Sequence, residues 1–414
     1  MEEKTGDLKK ESTNVLIIGK SGVGKSSLVN YIFGRDLQEV GVGAPVTKME
    51  IKEFPYAYDE HFEIHIFDTW GLEPGAKKAR EWKETIFKEV ERHDREKIRD
   101  WFNTIIFCLN AKSSRIEDFE LDIMEQLLRE KNHLTIAITH CRSKDDPDGT
   151  MLKDSVRQEL EKREIESLDT LLGDSNFVFV SNVKKALLGG TVEQFGKEEI
   201  FVSIIRNVWA SLKSKVPYQA RIQLEERFQL KRVELLKKPD RLRWIVPFMK
   251  PISINRLEQE INKNCDAFIK DLVREINKMY REALEYYAEL SRKYAIIGLE
   301  IDPQDYRTSA KIHFDAKHTV RDQVASDFNI LRNRIQIMND VLNDKRIEST
   351  LRRTYTNFRI LVRDSKKIRE DLKEELERFM DAVKQQLEDH LREIEASLNS
   401  LEIDDLYIFQ TKTE

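Results

Sequence analysis

The stretch Gly19-Lys-Ser-Gly-Val-Gly24-Lys25-Ser26 decides how this chain is read. It follows the apolar run Val15-Leu-Ile-Ile18 and precedes the helix-forming stretch Ser27 to Phe33, so it joins a strand to a helix. Gly19, Gly22 and Gly24 let the main chain wrap closely. Successive amides, from Ser21 through Val23 to Ser27, can then point at a phosphate, helped by the positive end of the helix. Lys25 stands where an ammonium group reaches terminal phosphates, and the Ser26 hydroxyl suits Mg²⁺.

Strands and helices alternate outward from this loop. Phe62 to Phe67, Thr104 to Leu109, Leu134 to Ile138 and Phe177 to Val180 read as further strands, and a segment near Lys48 to Phe54 as another. Residues 25–34, 77–99, 116–131, 152–172 and 196–213 read as helices. Such alternation implies an α/β domain over 13–213, with a mostly parallel sheet covered on both faces. At the end of the third strand, Asp68-Thr-Trp-Gly71 offers a carboxylate for Mg²⁺ and a glycine amide for a γ-phosphate. Between the two motifs, Gly41-Val-Gly-Ala-Pro-Val-Thr47 reads as a glycine-bearing loop whose Thr47 can ligate the same metal.

All but one of the 15 glycines precede residue 200; the exception is Gly298. Beyond that point the grammar is helical. From Leu257 through Ile261, Cys265, Phe268, Leu272, Ile276, Met279 and Ala283 to Tyr294, apolar residues recur in steps of four, four and three. That 11-residue period keeps the stripe on one face of a nearly straight helix. Similar stripes run from Val320 to Leu342 and from Ile368 to Leu398. The expected organisation is a polar tail (1–12), the α/β domain, a connector (214–252), an all-α helical bundle (253–405) and a short tail (406–414).

The connector carries seven basic residues and two acidic ones over 231–250, around Trp244-Ile-Val-Pro-Phe248. Its prolines (Pro239, Pro247, Pro251) favour a simple linker, while the basic and aromatic residues make an anionic membrane surface a candidate partner. The 414-residue chain has a formal charge of −5, which counts against binding nucleic acid by overall charge. Three separated cysteines (Cys108, Cys141, Cys265) and scattered histidines give no zinc-ligand spacing. No run reaches the length of a membrane span, and residues 1–13 lack a signal-peptide core, so a soluble cytoplasmic protein, at most peripheral to a membrane, is expected.

Taken together, Gly19 to Ser26, Pro45-Val-Thr47, Asp68-Thr-Trp-Gly71-Leu-Glu73 and Cys108 to Phe119 resemble a GTPase G domain of the Ras-like, translation-factor-related class. The nearest patterns are those of the Era, septin and immunity-related groups. The resemblance covers about half of the chain. It implies GTP or GDP with Mg²⁺, a metal set of Ser26, Thr47 and Asp68, and catalysis dependent on Lys25, Thr47 and Gly71. It places Thr139 and His140, and then Ser181 and Asn182, at the base.

The chain departs from the family pattern at two points. Arg142 stands where the family has a base-reading aspartate, and it carries donors only. Asp145 or Asp146 is then the candidate acceptor from the following loop. Leu72 replaces the water-positioning glutamine of Ras-type enzymes, so slow hydrolysis is expected. Nucleotide state would pass to the helical domain, which binds a partner or a second copy, and two G domains can also face each other. A nucleotide-gated scaffold without turnover and a dynamin-like membrane GTPase are the competing readings.

Overall fold

The computed structural model describes residues 11–34, 51–58, 62–72, 76–113, 115–182, 184–187 and 190–238, and discontinuous residues within 263–286 and 370–396. Thr47 with its loop, Trp244 to Phe248 and the stripe from Val320 to Leu342 lie outside the described residues. The chain divides into two compact units. One holds 1–218 with 282–303 and 402–414, and the other holds 219–281 with 304–401.

Among the described residues, the main sheet of the first unit has six strands: β1 (Glu11–Gly19), β2 (Lys52–Ala57), β3 (Phe62–Asp68), β4 (Phe102–Asn110), β5 (Leu134–Thr139) and β6 (Phe177–Phe179). Their order is β2-β3-β1-β4-β5-β6. Only β2 runs antiparallel to its neighbour; the other pairings are parallel. β1, β4 and β5 are near-continuous apolar runs because both of their faces are covered. The helices are α1 (Lys25–Phe33), α2 (Ala76–Asp94), α3 (Asp118–Arg129), α4 (Pro147–Glu161), the short α5 (Leu168–Leu171) and α6 (Lys197–Leu236). A small hairpin, β7 (Lys185–Leu187) with β8 (Gly190–Val192), lies between β6 and α6. Leu16, Ile18, Phe102, Ile105, Ile136 and Ile138 meet Trp82, Ile86, Met124, Leu127 and Val156 in one continuous core.

The strand order reverses beside β1, the first neighbour in sequence lying on one side and the next on the other. Ligands of open parallel sheets bind at such a point, beyond the carboxyl ends of the strands. The loop after β1 is therefore placed at the sheet's binding edge.

Helix α2, expected over 77–99, ends at Asp94, and further boundaries differ in β2, α4 and α6. Strand β2 starts at Lys52, where its pairing with Asp68 begins, and its half-buried face carries Phe54 and Tyr56. Helix α4 starts at Pro147, since Asp146 caps it with bonds from the amides of Asp148 and Gly149 and proline suits the first helical turn. It ends at Glu161, where Glu164 and Ser167 take left-handed backbone angles. The helix expected over 196–213 runs on to Leu236, so 214–236 of the expected connector is helical. Pro217 sits inside it. Val216, Ala220, Leu224 and Phe228, at steps of four, are all buried and outweigh that break.

Buried polar groups fasten α6 to the first unit. The Lys215 ammonium, fully buried, lies 2.6 Å from Asp94 and donates to Asn132 Oδ1 at 2.8 Å and to the Phe102 carbonyl at 3.2 Å. Ser211 donates to Asn103 at 2.7 Å, and Asn176 bridges the Leu134 carbonyl to Asn207. His133 shares a 2.7 Å bond with Ser214.

In the second unit, the described residues within 263–281 and 370–396 are helical. Leu224, Phe228 and Leu235 are buried there, as are Leu272, Ile276, Leu376, Met380, Leu387 and Leu391. Phe228 and Phe268 have ring centroids 6.1 Å apart. Ion pairs join Arg232 to Asp381 at 3.0 Å, Lys384 to Glu225 at 2.5 Å, and Arg227 to Glu275. Among the described residues, no helix is long and apolar enough to cross a membrane.

Two outcomes test this packing. Lys215→Ala removes the ammonium from beside buried Asp94, and is expected to cost about 3–5 kcal/mol in urea unfolding. Burial, then the Lys215 charge, pushes the His133 imidazole down to about 3. The neutral ring thus contributes stability that is complete above its unfolded value of about 6.5 and is lost as pH falls from there toward 3. Stability should decline by up to about 1.4 kcal/mol per pH unit through that window, and His133→Gln should flatten the slope.

Candidate functional site

The loop leaves β1 and turns directly into α1. Gly22, at its exposed tip, and Gly24 have φ angles of 78° and 98°. Gly24 is the N-cap of α1 and has no side chain with which to cap it. The left-handed angle at Gly24 excludes most other residues, and the first amides of α1 are left facing the loop's concavity. Ser27 lies half-buried in that first turn.

Lys25 is buried, and its ammonium donates to the carbonyls of Gly19 at 3.0 Å and Lys20 at 2.9 Å. It is thus coiled back within its own loop. Burial lowers its pKa, with the nearby Asp68 charge opposing the shift. Asp68, at the end of β3, accepts a 3.3 Å bond from the Ser26 hydroxyl. Burial pushes its carboxyl up to about 6, against Lys25, Ser26 and Lys52. A hydroxyl and a carboxylate side by side form the hard oxygen set that Mg²⁺ prefers, so the residues present fit that ion. Cys108, also buried beside them, is pushed up to about 12 and is inert as a thiol.

The Asp68 to Gly71 turn is clipped onto the phosphate-binding loop. Ser21 N donates to the Leu72 carbonyl at 3.0 Å, and Leu72 N to the Gly19 carbonyl at 3.2 Å. A Cβ on Gly71 would fall 2.4 Å from Ser21 Cα, so only glycine permits this approach. Thr69 is anchored by its hydroxyl, which donates to the Ile17 carbonyl at 2.8 Å. Leu72 is buried in the core, and both of its main-chain groups are used in the clip.

The residues predicted to face the base arrive from β5 and β6. The Thr139 hydroxyl donates to the Val23 carbonyl at 2.5 Å and the Leu109 carbonyl at 3.0 Å, so it braces the loop. His140 takes a φ of 62°, and its Nε2 comes 3.6 Å from where a Cβ on Gly24 would sit. Asn182 Nδ2 donates to the Gly24 carbonyl at 3.0 Å. Ser181 is buried, with its amide and carbonyl paired to Phe195 at 3.1 Å each, so that amide is spent on the fold.

Asp146 is not the missing acceptor. Its carboxylate takes the amides of Arg142 at 2.7 Å, Asp148 at 3.0 Å and Gly149 at 3.2 Å, and closes the turn into α4. Arg142 and Asp145 are exposed. Lys25, Ser26, Asp68, Gly71, Thr139, His140 and Asn182 thus meet at one loop, while Ser181 pairs with Phe195 and Thr47 lies outside the described residues.

One clasp went unread in the sequence. The Lys20 ammonium lies 2.8 Å from both Glu117 and Glu120, at the start of α3. Burial disfavours its charge, but the two carboxylates outweigh this and raise its pKa. The three-residue spacing of Glu117 and Glu120, a capping box, was the available signal.

Residues 14–140 match the family model described as 50S ribosome-binding GTPase. This part of the chain is a P-loop GTPase domain. The tRNA modification GTPase MnmE of Pseudoalteromonas atlantica is 30% identical over 118 residues, 28% of this chain and 23% of that protein. The MnmE of Sodalis glossinidius is 34% identical over 94 residues, 22% of this chain and 20% of its own. The matched stretch therefore spans about a quarter or less of the length of these two relatives. Among solved structures, Toc33 from Arabidopsis thaliana in complex with Mg²⁺ and GMPPNP aligns with 49% of this chain and 85% of its own, at 18% identity and a TM-score of 0.34. The septin GTPase domain from Chlamydomonas reinhardtii covers 48% and 91%, at 18% identity and a TM-score of 0.35.

Gly71→Ala gives the GTPase domain a test that leaves all its polar groups in place. The added methyl must push the clipped turn off Ser21, at a cost of about 1–3 kcal/mol. Thermal unfolding should register the loss, and nucleotide affinity should fall with it.

Proposed function

We propose that the GTPase domain binds GTP and GDP with Mg²⁺ and hydrolyses GTP slowly, and that the helical residues beyond it respond to which nucleotide is held. The observation that carries this reading is the Lys25 ammonium folded onto the Gly19 and Lys20 carbonyls, beside Ser26 and Asp68. A terminal phosphate offers that ammonium a better acceptor than two neutral carbonyls. The loop amides and Lys25 would hold phosphate, and Ser26, Asp68 and Thr47 would hold the metal. The Gly71 amide would meet the γ-phosphate. Bound Mg²⁺ would supply charge neutralisation between the β- and γ-phosphates.

Slow turnover is favoured by Leu72. It is buried, its amide and carbonyl are tied to Gly19 and Ser21, and its side chain has no group to orient water. Efficient hydrolysis then requires Thr47, a facing G domain or a protein partner to complete the site. The same observation leaves room for a second reading, a nucleotide-gated scaffold with negligible turnover. Guanine choice would rest on His140, Asn182 and the turn around Arg142, with no role for Asp146. The partner would be a protein or a second copy of this chain, engaged in the cytoplasm through the helical unit.

Calorimetry on the full chain with Mg²⁺ and a non-hydrolysable GTP analogue tests the reading. Saturable binding is expected, weakened roughly 10- to 100-fold by Lys25→Ala. Absence of binding by any purine triphosphate to folded protein would overturn it. Phosphate release by the wild type separates slow GTPase from scaffold.

A further inference from the structure

Two elements that begin at the phosphate and metal groups end on the same aromatic stack. Helix α1 starts at Lys25 and finishes at Phe33. Strand β2 starts at Lys52, which pairs in register with Asp68; its Phe54 and Tyr56 share one face, and Tyr58 follows directly after the strand. Phe33 meets Tyr56 edge-on, with centroids 5.2 Å apart, and Phe54 at 6.2 Å. Tyr56 stacks on Phe201 of α6 at 5.2 Å and 21° between planes, and Tyr58 packs on the same ring at 5.1 Å. Phe201 is 6% exposed.

Lys197, the first residue of α6, spans the stack. Its ammonium lies 5.5 Å from the Tyr56 centroid and 5.8 Å from that of Phe201, and it donates to the Ile32 carbonyl near the end of α1. The root of α6 is thereby bonded to the helix that carries the phosphate loop. It is also stacked on the strand that opens opposite the metal carboxylate. Interdigitated rings do not slide continuously; they repack between discrete arrangements. A sub-ångström change in β2 or α1 therefore has to be accommodated at Phe201.

We propose that the Phe33–Tyr56–Phe201 stack, crossed by Lys197, is the latch through which occupancy of the nucleotide site reaches α6. The inference rests on the nucleotide reading above and names the residues that would transmit its state. Linkage makes the effect reciprocal: a latch that favours one nucleotide is itself set by that nucleotide.

Hydrogen exchange on the full chain tests it, with Mg²⁺ and either GDP or a non-hydrolysable GTP analogue. In the wild type, amides over 197–205 should differ in protection between the two states by on the order of fivefold. Phe201→Ala should bind both nucleotides yet lose that difference, while β2 keeps its own response. Phe201→Tyr, which preserves the ring, should retain it. Tyr56→Leu removes the other half of the stack and should give the same loss, so it decides the matter if Phe201→Ala unfolds. A wild type that binds both nucleotides with equal protection over 197–205 overturns the latch. So do stack variants that keep the difference. Failure of the wild type to bind nucleotide overturns the site reading, and the latch with it.

Discussion

The first unit depends on keeping one ammonium and one carboxylate, Lys25 and Asp68, out of water at the carboxyl edge of a parallel sheet. Burial alone would neutralise both, and it moves both in that direction. What holds them is geometry supplied by neighbours. Two carbonyls of the loop hold the ammonium, the Ser26 hydroxyl holds the carboxylate, and the clip between Leu72 and the loop fixes the space between them. Such an arrangement costs folding free energy, and a site that binds a charged ligand recovers that cost on binding.

The scaffold around this pair follows from the same constraint. Thr139 and Asn182 donate to the Val23 and Gly24 carbonyls, so strands β5 and β6 hold the loop from behind. Lys20 is drawn aside to Glu117 and Glu120, which leaves Lys25 as the cation coiled inside the loop. The loop is thus fixed from three directions, by β3, by β5 with β6, and by α3. A preorganised cradle of this kind pays its ordering entropy during folding rather than at the moment of binding.

The sheet was legible in the sequence because its buried strands are unbroken apolar runs: Val15 to Ile18, Thr104 to Leu109, Leu134 to Ile138. The phosphate loop was legible because glycine, lysine and serine at fixed spacing serve one chemistry. What escaped was set by contacts distant in sequence. Asp146 looked like a free acceptor in a loop, and only the turn into α4 reveals that three amides consume it. Nothing in the sequence around Lys215 marks it as buried; only the docking of α6 sets it against Asp94 and Asn132. The extension of α6 to Leu236 was masked by Pro217, whose local cost lost to a stripe of buried side chains.

That proline has a mechanical consequence. Lacking an amide hydrogen, it removes one rung from the ladder of α6, one residue before Tyr218, where the first compact unit gives way to the second. The neighbouring rungs remain at this step, together with the side-chain packing of Val216 and Ala220 and the Lys215 bonds to Asp94, Asn132 and Phe102. The backbone of α6 is therefore one hydrogen bond weaker at this step than along its unbroken turns.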